Sequence, residues 1–290
     1  MKTKKPKRSD ESFFKNLCGG FPSWPKGVQS VCLLTFDIDL DSIWIARGFD
    51  EPVTRSGGRF GANVGLPNVL ELLNWFGIRT TFFTPGWVAD TYPALVEKVA
   101  AAGHDFGLHN YLHEPPTQLS ESEEVDVLNR GREAIERVVG KRPIGYRSPL
   151  WQYSPHTLHI LRDMNVSYTS DLMDTLMPSF HIIDGETTDM VNLPVNWILD
   201  DGPFFSYHIS SPRTLRSCSD VLEIWKEEFR SIHACGGLFT LTMHPQFIGR
   251  PSRILMLKEL VEYIQGFDRV WLPSPLEVVQ HWREYYRDKQ

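Results

Sequence analysis

The sequence has few cysteines, and none are paired in a way that suggests a site. Cys18, Cys32, Cys218 and Cys235 are scattered and form no CxxC step, which excludes a zinc ribbon and a dense disulfide framework. Free, reduced thiols are expected, with Cys32 packed inside a strand. No run approaches the ~20 apolar residues needed to cross a bilayer. The basic opening MKTKKPKRSD is not followed by the apolar core of a signal peptide before FPSWPKG. A cytoplasmic location and no membrane partner are therefore expected. Positive charge is not in excess either: 30 Lys and Arg stand against 36 Asp and Glu, for a net charge of −6, so a broad phosphate-binding footprint and a nucleic-acid partner are disfavoured. The glycines of SGGRFGANVG lack the strand before them and the Lys-Ser/Thr step after them that a phosphate loop needs. No repeat, low-complexity tract or composition shift marks an internal boundary. The expected organisation is a solvated tail over residues 1–28 and one domain over 29–290.

Core-forming material, in contrast, is plentiful: 41% of the 290 residues are hydrophobic and 23% charged. Continuously apolar short runs at residues 31–36, 80–83, 104–109, 166–170, 238–244 and 269–273 predict buried strands. Helical signals alternate with them. Leu66, Val69, Leu70, Leu73 and Phe76 make a stripe ended by Gly77; Pro93 starts a helix that Gly103 ends; Ser120 with Glu123 makes a capping box before a segment running to Gly140; Ser154-Pro155 starts another. Such alternation predicts an α/β fold with a mostly parallel sheet, closed into a barrel in preference to an open sheet.

In that frame the polar residues fall at informative places. Asp37 and Asp39 fall just after the first strand, His109 ends another with His113 four residues on, and His244 ends a late one. Barrel active sites gather at the carboxyl ends of strands. Imidazoles with carboxylates suit a divalent metal and a base, and an i,i+4 pair can turn two imidazoles to one side of a helical turn. Bland readings stand beside these. An Asp after a strand is commonly a turn former or cap, and a lone histidine is commonly surface or satisfied core. His104, His156 and His208 take that reading, Asp200 and Asp201 read as turn formers, and Arg147 reads as a surface ion-pair residue. Arg55 or Arg59 is a solvated loop arginine or a holder of a substrate oxygen. Trp44, Trp87, Trp151 and Trp197 lie in or near suspected loops at the active end, as pocket walls or as packing.

Read in order, LLTFDID, GLHNYLHEPP, GYRSPLW and LTMHP, flanked by TTFFTPGWVAD, AAGHDFGLH and LPVNWILDDGPFF, resemble the motifs of the polysaccharide deacetylase family, also called NodB-homology or carbohydrate esterase family 4, over residues 30 to 275. The resemblance implies a distorted (β/α)-barrel with about seven parallel strands and one divalent metal, zinc first, with Co, Mn or Ni as alternatives. It implies Asp39, His109 and His113 as metal ligands and Asp37 as the base. His244 becomes the acid that protonates the departing nitrogen, and Arg147 the partner that fixes Asp37. The N–H of Leu150, after Pro149, becomes the oxyanion donor, with Trp151 and Trp197 beside the substrate.

Three traits depart from the polymer-acting pattern: Ile38 separates the two acids, Leu150 stands where an aromatic is usual, and a long loop runs from Ser42 to Gly65. They are similar to the branch containing cofactor-independent allantoinase, cyclic imide hydrolases and a Helicobacter-type peptidoglycan deacetylase homologue, whose members suggest a homotetramer. That loop and LDDGPFF would cover a small pocket, with the glycines allowing movement. The expected activity is metal-dependent hydrolysis of a non-peptide C–N bond, as N-deacetylation of an amino sugar. The alternatives are opening of a cyclic imide or ureide, a barrel that only binds carbohydrate or a partner, and a metal-free two-carboxylate glycosidase.

Overall fold

The computed structural model describes residues 24–210 and 212–287. Nine strands form one sheet: β1 (Ser30–Asp37), β2 (Thr81–Thr84), β3 (Asp105–Leu108), β4 (Gly145–Tyr146), β5 (Tyr168–Thr169), β6 (Ser179–Ile183), β7 (Glu186–Asn192), β8 (Leu238–Met243) and β9 (Val270–Trp271). Their spatial order is β6-β7-β5-β4-β3-β2-β1-β8, with β9 also paired to β1. Every pairing is parallel except the β6–β7 hairpin. Seven parallel strands therefore curve from β7 to β8 into a half-barrel covered by helices, which is the distorted barrel expected from the motifs. β1 is an interior strand between β2 and β8, and all eight of its residues are buried, as a strand covered on both faces requires. Trp24 lies outside the sheet but is buried beside Trp282, and its indole N–H donates to the Gly236 carbonyl at 2.8 Å.

The predicted helix ends are present. Helix Leu66–Phe76 stops at Gly77, whose φ of 65° is the left-handed conformation a side chain would resist. Helix Glu121–Val139 begins in the full Ser120–Glu123 capping box and ends at left-handed Gly140. Three strands, β4, β6 and β7, were not predicted. β4 has only two residues, too few for a periodic signal, whereas the β6–β7 hairpin carries one in Asp184-Gly185, both at positive φ, the dipeptide that suits a tight hairpin turn.

Two expectations are corrected. Residues 42–65 are not a mobile loop. They fold as helix Ser42–Ala46, helix Pro52–Phe60 and a π-helical turn Gly61–Gly65 that runs straight into helix Leu66–Phe76. Three of the glycines there are close-contact positions, Gly58, Gly61 and Gly65: a Cβ on Gly58 would lie 2.3 Å from the Asp41 backbone nitrogen, so only glycine lets this helix sit on the turn after β1. The cysteines are not all free. Cys32 and Cys218 are, but Cys235 is disulfide-bonded, because pairing depends on approach in space and not on spacing along the chain.

Candidate active site

The cleft that collects the polar residues opens at the carboxyl ends of the strands. Its lining includes Asp37, Arg47, His109, His113, Ser148, Leu150, Trp151, Trp197, Asp200, Arg213 and His244, around a volume of about 120 Å³. A larger cavity of about 390 Å³ lies against helix Cys218–Cys235, but its walls hold no histidine, so the chemistry belongs to the smaller one.

Asp39, two residues past the end of β1, is fully buried. Its carboxylate oxygens face three imidazoles: His109 Nε2 at 3.5 Å, His113 Nε2 at 3.8 Å and His244 Nε2 at 3.5 Å. Among the described residues neither oxygen has a hydrogen-bond partner. A buried, unpartnered carboxylate is costly, and a cation is the partner this donor set fits. One donor atom from each of Asp39, His109 and His113 falls within 4.8 Å of the others. His109 Nδ1–H donates to the Arg147 carbonyl at 2.5 Å, which leaves the Nε2 lone pair facing Asp39. Burial, with His109 beside it, lowers the His113 pKa well below the ordinary value and so favours the neutral ring a ligand must be. One carboxylate and two neutral imidazoles suit a divalent ion of the zinc, cobalt, manganese or nickel type.

Two ion pairs flank that centre. On one side Arg147, wholly buried at the end of β4, donates from Nη1 to Asp37 Oδ1 at 2.6 Å. Its other N–H groups go to Thr35 Oγ1 at 2.9 Å, Ser170 Oγ at 2.8 Å and the Ser170 carbonyl at 3.2 Å, so the guanidinium is anchored across β1, β4 and β5. Arg147 is therefore not a surface residue. On the other side His244 Nδ1 lies 2.6 Å from Asp201 Oδ1, and the His244 backbone N–H donates to the same carboxylate. Burial alone would lower the His244 pKa, but Asp201 and Asp200 outweigh it and raise it well above the ordinary histidine value. Burial also pushes the Asp200 carboxyl up to about 7.

Asp200 and Asp201 are thus more than turn formers. Asp200 bridges to Thr242 on the open edge of β8, and this pairing carries both acids to His244. Nothing in LDDGPFF marks that pairing. Arg47 and Arg213 in the cleft wall, and Thr35 and Ser170 behind Arg147, were likewise not singled out by sequence. Of the residues that were, Trp151 and Trp197 form an indole pair with centroids 4.2 Å apart, and Leu150 lies in the wall beside them. Pro149 is buried and not part of the lining. Trp44 instead packs inside, stacked on His208 at 5.3 Å, and Trp87 packs against Tyr92. Arg55 pairs with Asp41 at 2.9 Å and Asp50 at 3.1 Å, and Arg59 donates to the Pro52 carbonyl, so neither lines the cleft. Five non-glycine residues at the rim are left-handed: Leu40, Asn110, His113, Leu150 and Trp151. Such strain concentrates where packing must aim a functional group.

Comparison with known proteins bears on the family and the fold. The polysaccharide deacetylase family model matches residues 28–169. A peptidoglycan deacetylase of Helicobacter pylori is 29% identical over 268 residues, spanning 82% of this chain and 92% of its own. The crystal structure of a candidate polysaccharide deacetylase from Mycobacterium smegmatis superposes with a TM-score of 0.87 at 33% identity, over 91% of this chain and 94% of that one. Puue allantoinase superposes with a TM-score of 0.78 over 92% of this chain and 95% of its own, and at 20% identity that likeness is one of fold. With the ordered motifs, the half-barrel and these relatives in agreement, the chain belongs to the polysaccharide deacetylase family.

Proposed function

We propose that the protein is a metal-dependent hydrolase of non-peptide C–N bonds that removes the acetyl group from an N-acetylated amino sugar. One observation carries this reading: the unpartnered Asp39 carboxylate faces His109 and His113 between two fixed ion pairs, one ending in a carboxylate and the other in an imidazole. Asp39, His109 and His113 would hold the ion, which supplies Lewis-acid polarisation of the scissile carbonyl and acidification of a water.

The remaining work falls to the chain. Arg147 occupies Asp37 Oδ1, so Asp37 Oδ2 is the atom that accepts the proton of the attacking water. His244 Nε2 lies 3.9 Å from that oxygen and can deliver a proton to the amide nitrogen as the C–N bond breaks, leaving acetate and a free amine. Asp201 holds the ring by Nδ1 and keeps it charged for that step. Leu150, with its backbone at φ 59°, turns the peptide at the cleft wall, where its N–H would meet the charge that develops on the carbonyl oxygen. Trp151 and Trp197 supply an apolar wall for the sugar ring.

A second reading, opening of a cyclic imide or ureide, is favoured by the size of the cleft, about 120 Å³, which suits a small molecule better than a polymer. The test is hydrolysis by zinc-loaded protein of N-acetylglucosamine oligomers beside succinimide, hydantoin and allantoin, with Asp37→Asn as control. Acetate released from the oligomers and lost in the variant is the expected result. Ring opening without acetate would replace it with the second reading, and inactivity towards the whole panel would return weight to a barrel that only binds.

A further inference from the structure

The charges around the cleft do not balance. Each carboxylate has a counterpart: Asp37 has Arg147, Asp201 has His244, and Asp200 lies 3.7 Å from the same imidazole. The unpartnered Asp39 faces the histidines that suit a cation. Arg47 and Arg213 also line the cleft, yet among the described residues neither makes an ion pair. They arrive from different segments. Arg47 caps helix Ser42–Ala46 in the insertion, and Arg213 lies in the stretch before helix Cys218–Cys235. Both residues are exposed, and the Arg47 guanidinium lies over the Trp44 ring at 5.7 Å. Desolvation at the cleft wall lowers the Arg47 pKa, Asp39 raises it and Arg213 lowers it again, so the two cations repel each other across the cleft they share. Two converging, mutually repelling arginines in the wall of a reaction cleft are stabilised when an anion enters between them. Across the cleft, Leu150, Trp151 and Trp197 offer an apolar surface.

We propose that Arg47 and Arg213 are specificity-determining residues that select an N-acyl substrate bearing a carboxylate over its uncharged counterpart. This rests on the hydrolase reading above for the N-acyl part, and on the arginine pair alone for the anion. The acid can belong to an amino sugar or to a small N-acyl amino acid, since a guanidinium pair recognises the carboxylate in either.

Two matched ligand pairs separate these sources: N-acetylmuramic acid with N-acetylglucosamine, and N-acetylglycine with N-acetylglycinamide. Calorimetric affinities are measured on the full zinc-loaded chain carrying Asp37→Asn, where no turnover consumes the ligand. The acid of at least one pair should bind about tenfold more tightly than its neutral partner, and rising salt should weaken the acid selectively. Adding Arg47→Gln and Arg213→Gln together should cut the preference to less than about threefold, and Arg47→Lys, which keeps the charge, should retain most of it. A preference that survives the double variant, equal affinities within both pairs, or no measurable binding of any of the four would overturn the proposal. Binding and turnover fail separately. An intact acid preference in a wild-type protein that releases no acetate would sink the hydrolase reading and leave the anion selection standing.

Discussion

At the carboxyl ends of β1, β3 and β8 the buried histidines face carboxylates, whereas His104 before β3 and His181 in β6 are buried with hydrogen bonds to uncharged groups. His104 Nδ1 accepts the Thr80 backbone N–H and its ring meets the edge of Phe82, while His181 Nε2 lies 2.7 Å from the Thr169 hydroxyl. Burial pushes both down to about 4, so they stay neutral members of the scaffold. At the rim, Asp201 reverses that effect for His244 and holds it charged. Burial is common to both regions, so the partner and not the depth decides which histidine can move a proton.

The largest expected effect breaks the rim side of this contrast at its base. Asp37→Asn should lower kcat about 10³-fold, close to 4 kcal/mol of barrier, with little change in thermal midpoint. Steady-state rates on whichever panel compound the parent hydrolyses would check it, and a loss below tenfold would remove Asp37 from the proton path. Next is Asp201→Asn, which takes away the anion that keeps His244 protonated. A raised pKa keeps an acid competent to higher pH, so the variant should lose activity at lower pH than the parent, with kcat down about 10²-fold. A pH–rate profile whose alkaline limb stays in place would show that Asp201 does not govern His244.

On the scaffold side the sign is opposite. A histidine with a depressed folded pKa contributes stability that is present above its unfolded pKa, near 6.5, and is lost as pH falls through the folded value of about 4. For His104 the loss over that window should be roughly 2 kcal/mol after allowing for solvent screening. Urea midpoints from pH 7 to 4 should show it as a slope that His104→Gln flattens, and an unchanged slope in the variant would assign the acid sensitivity to other groups. The smallest effect concerns the insertion. Asp41 is fully buried and holds Arg55 at 2.9 Å and the Tyr92 hydroxyl at 2.9 Å. Arg55→Ala should cost about 1 kcal/mol in urea unfolding and leave kcat unchanged. A drop in kcat instead would mean that this helix positions Asp39.

How far these features could be read from the sequence varied with the range of the interaction behind them. β1 was legible because its apolar run is unbroken, and helix Glu121–Val139 because its capping box and terminal glycine are local chemistry. Asp37, Asp39, His109, His113, Arg147 and His244 were named in advance through their ordered motifs. Asp201 was not, because the link that matters runs from residue 201 to residue 244 by way of a single bridge on β8. The insertion was misread for a related reason: its glycines look like hinge points until the Asp41 backbone is seen to press against Gly58.

The sequence by itself determined the class of fold, the ends of the main helices and the types of donor available for metal and proton chemistry, since periodicity, capping and residue type are local or ordered along the chain. Only the tertiary structure decided which of those donors meet. It placed Arg147 in the core as the anchor of Asp37, gave His244 an acid to hold its charge, and left Arg47 and Arg213 in the cleft wall with no ion pair among the described residues. Each depends on groups from distant strands approaching within a few ångströms, and no local pattern in a chain encodes that distance.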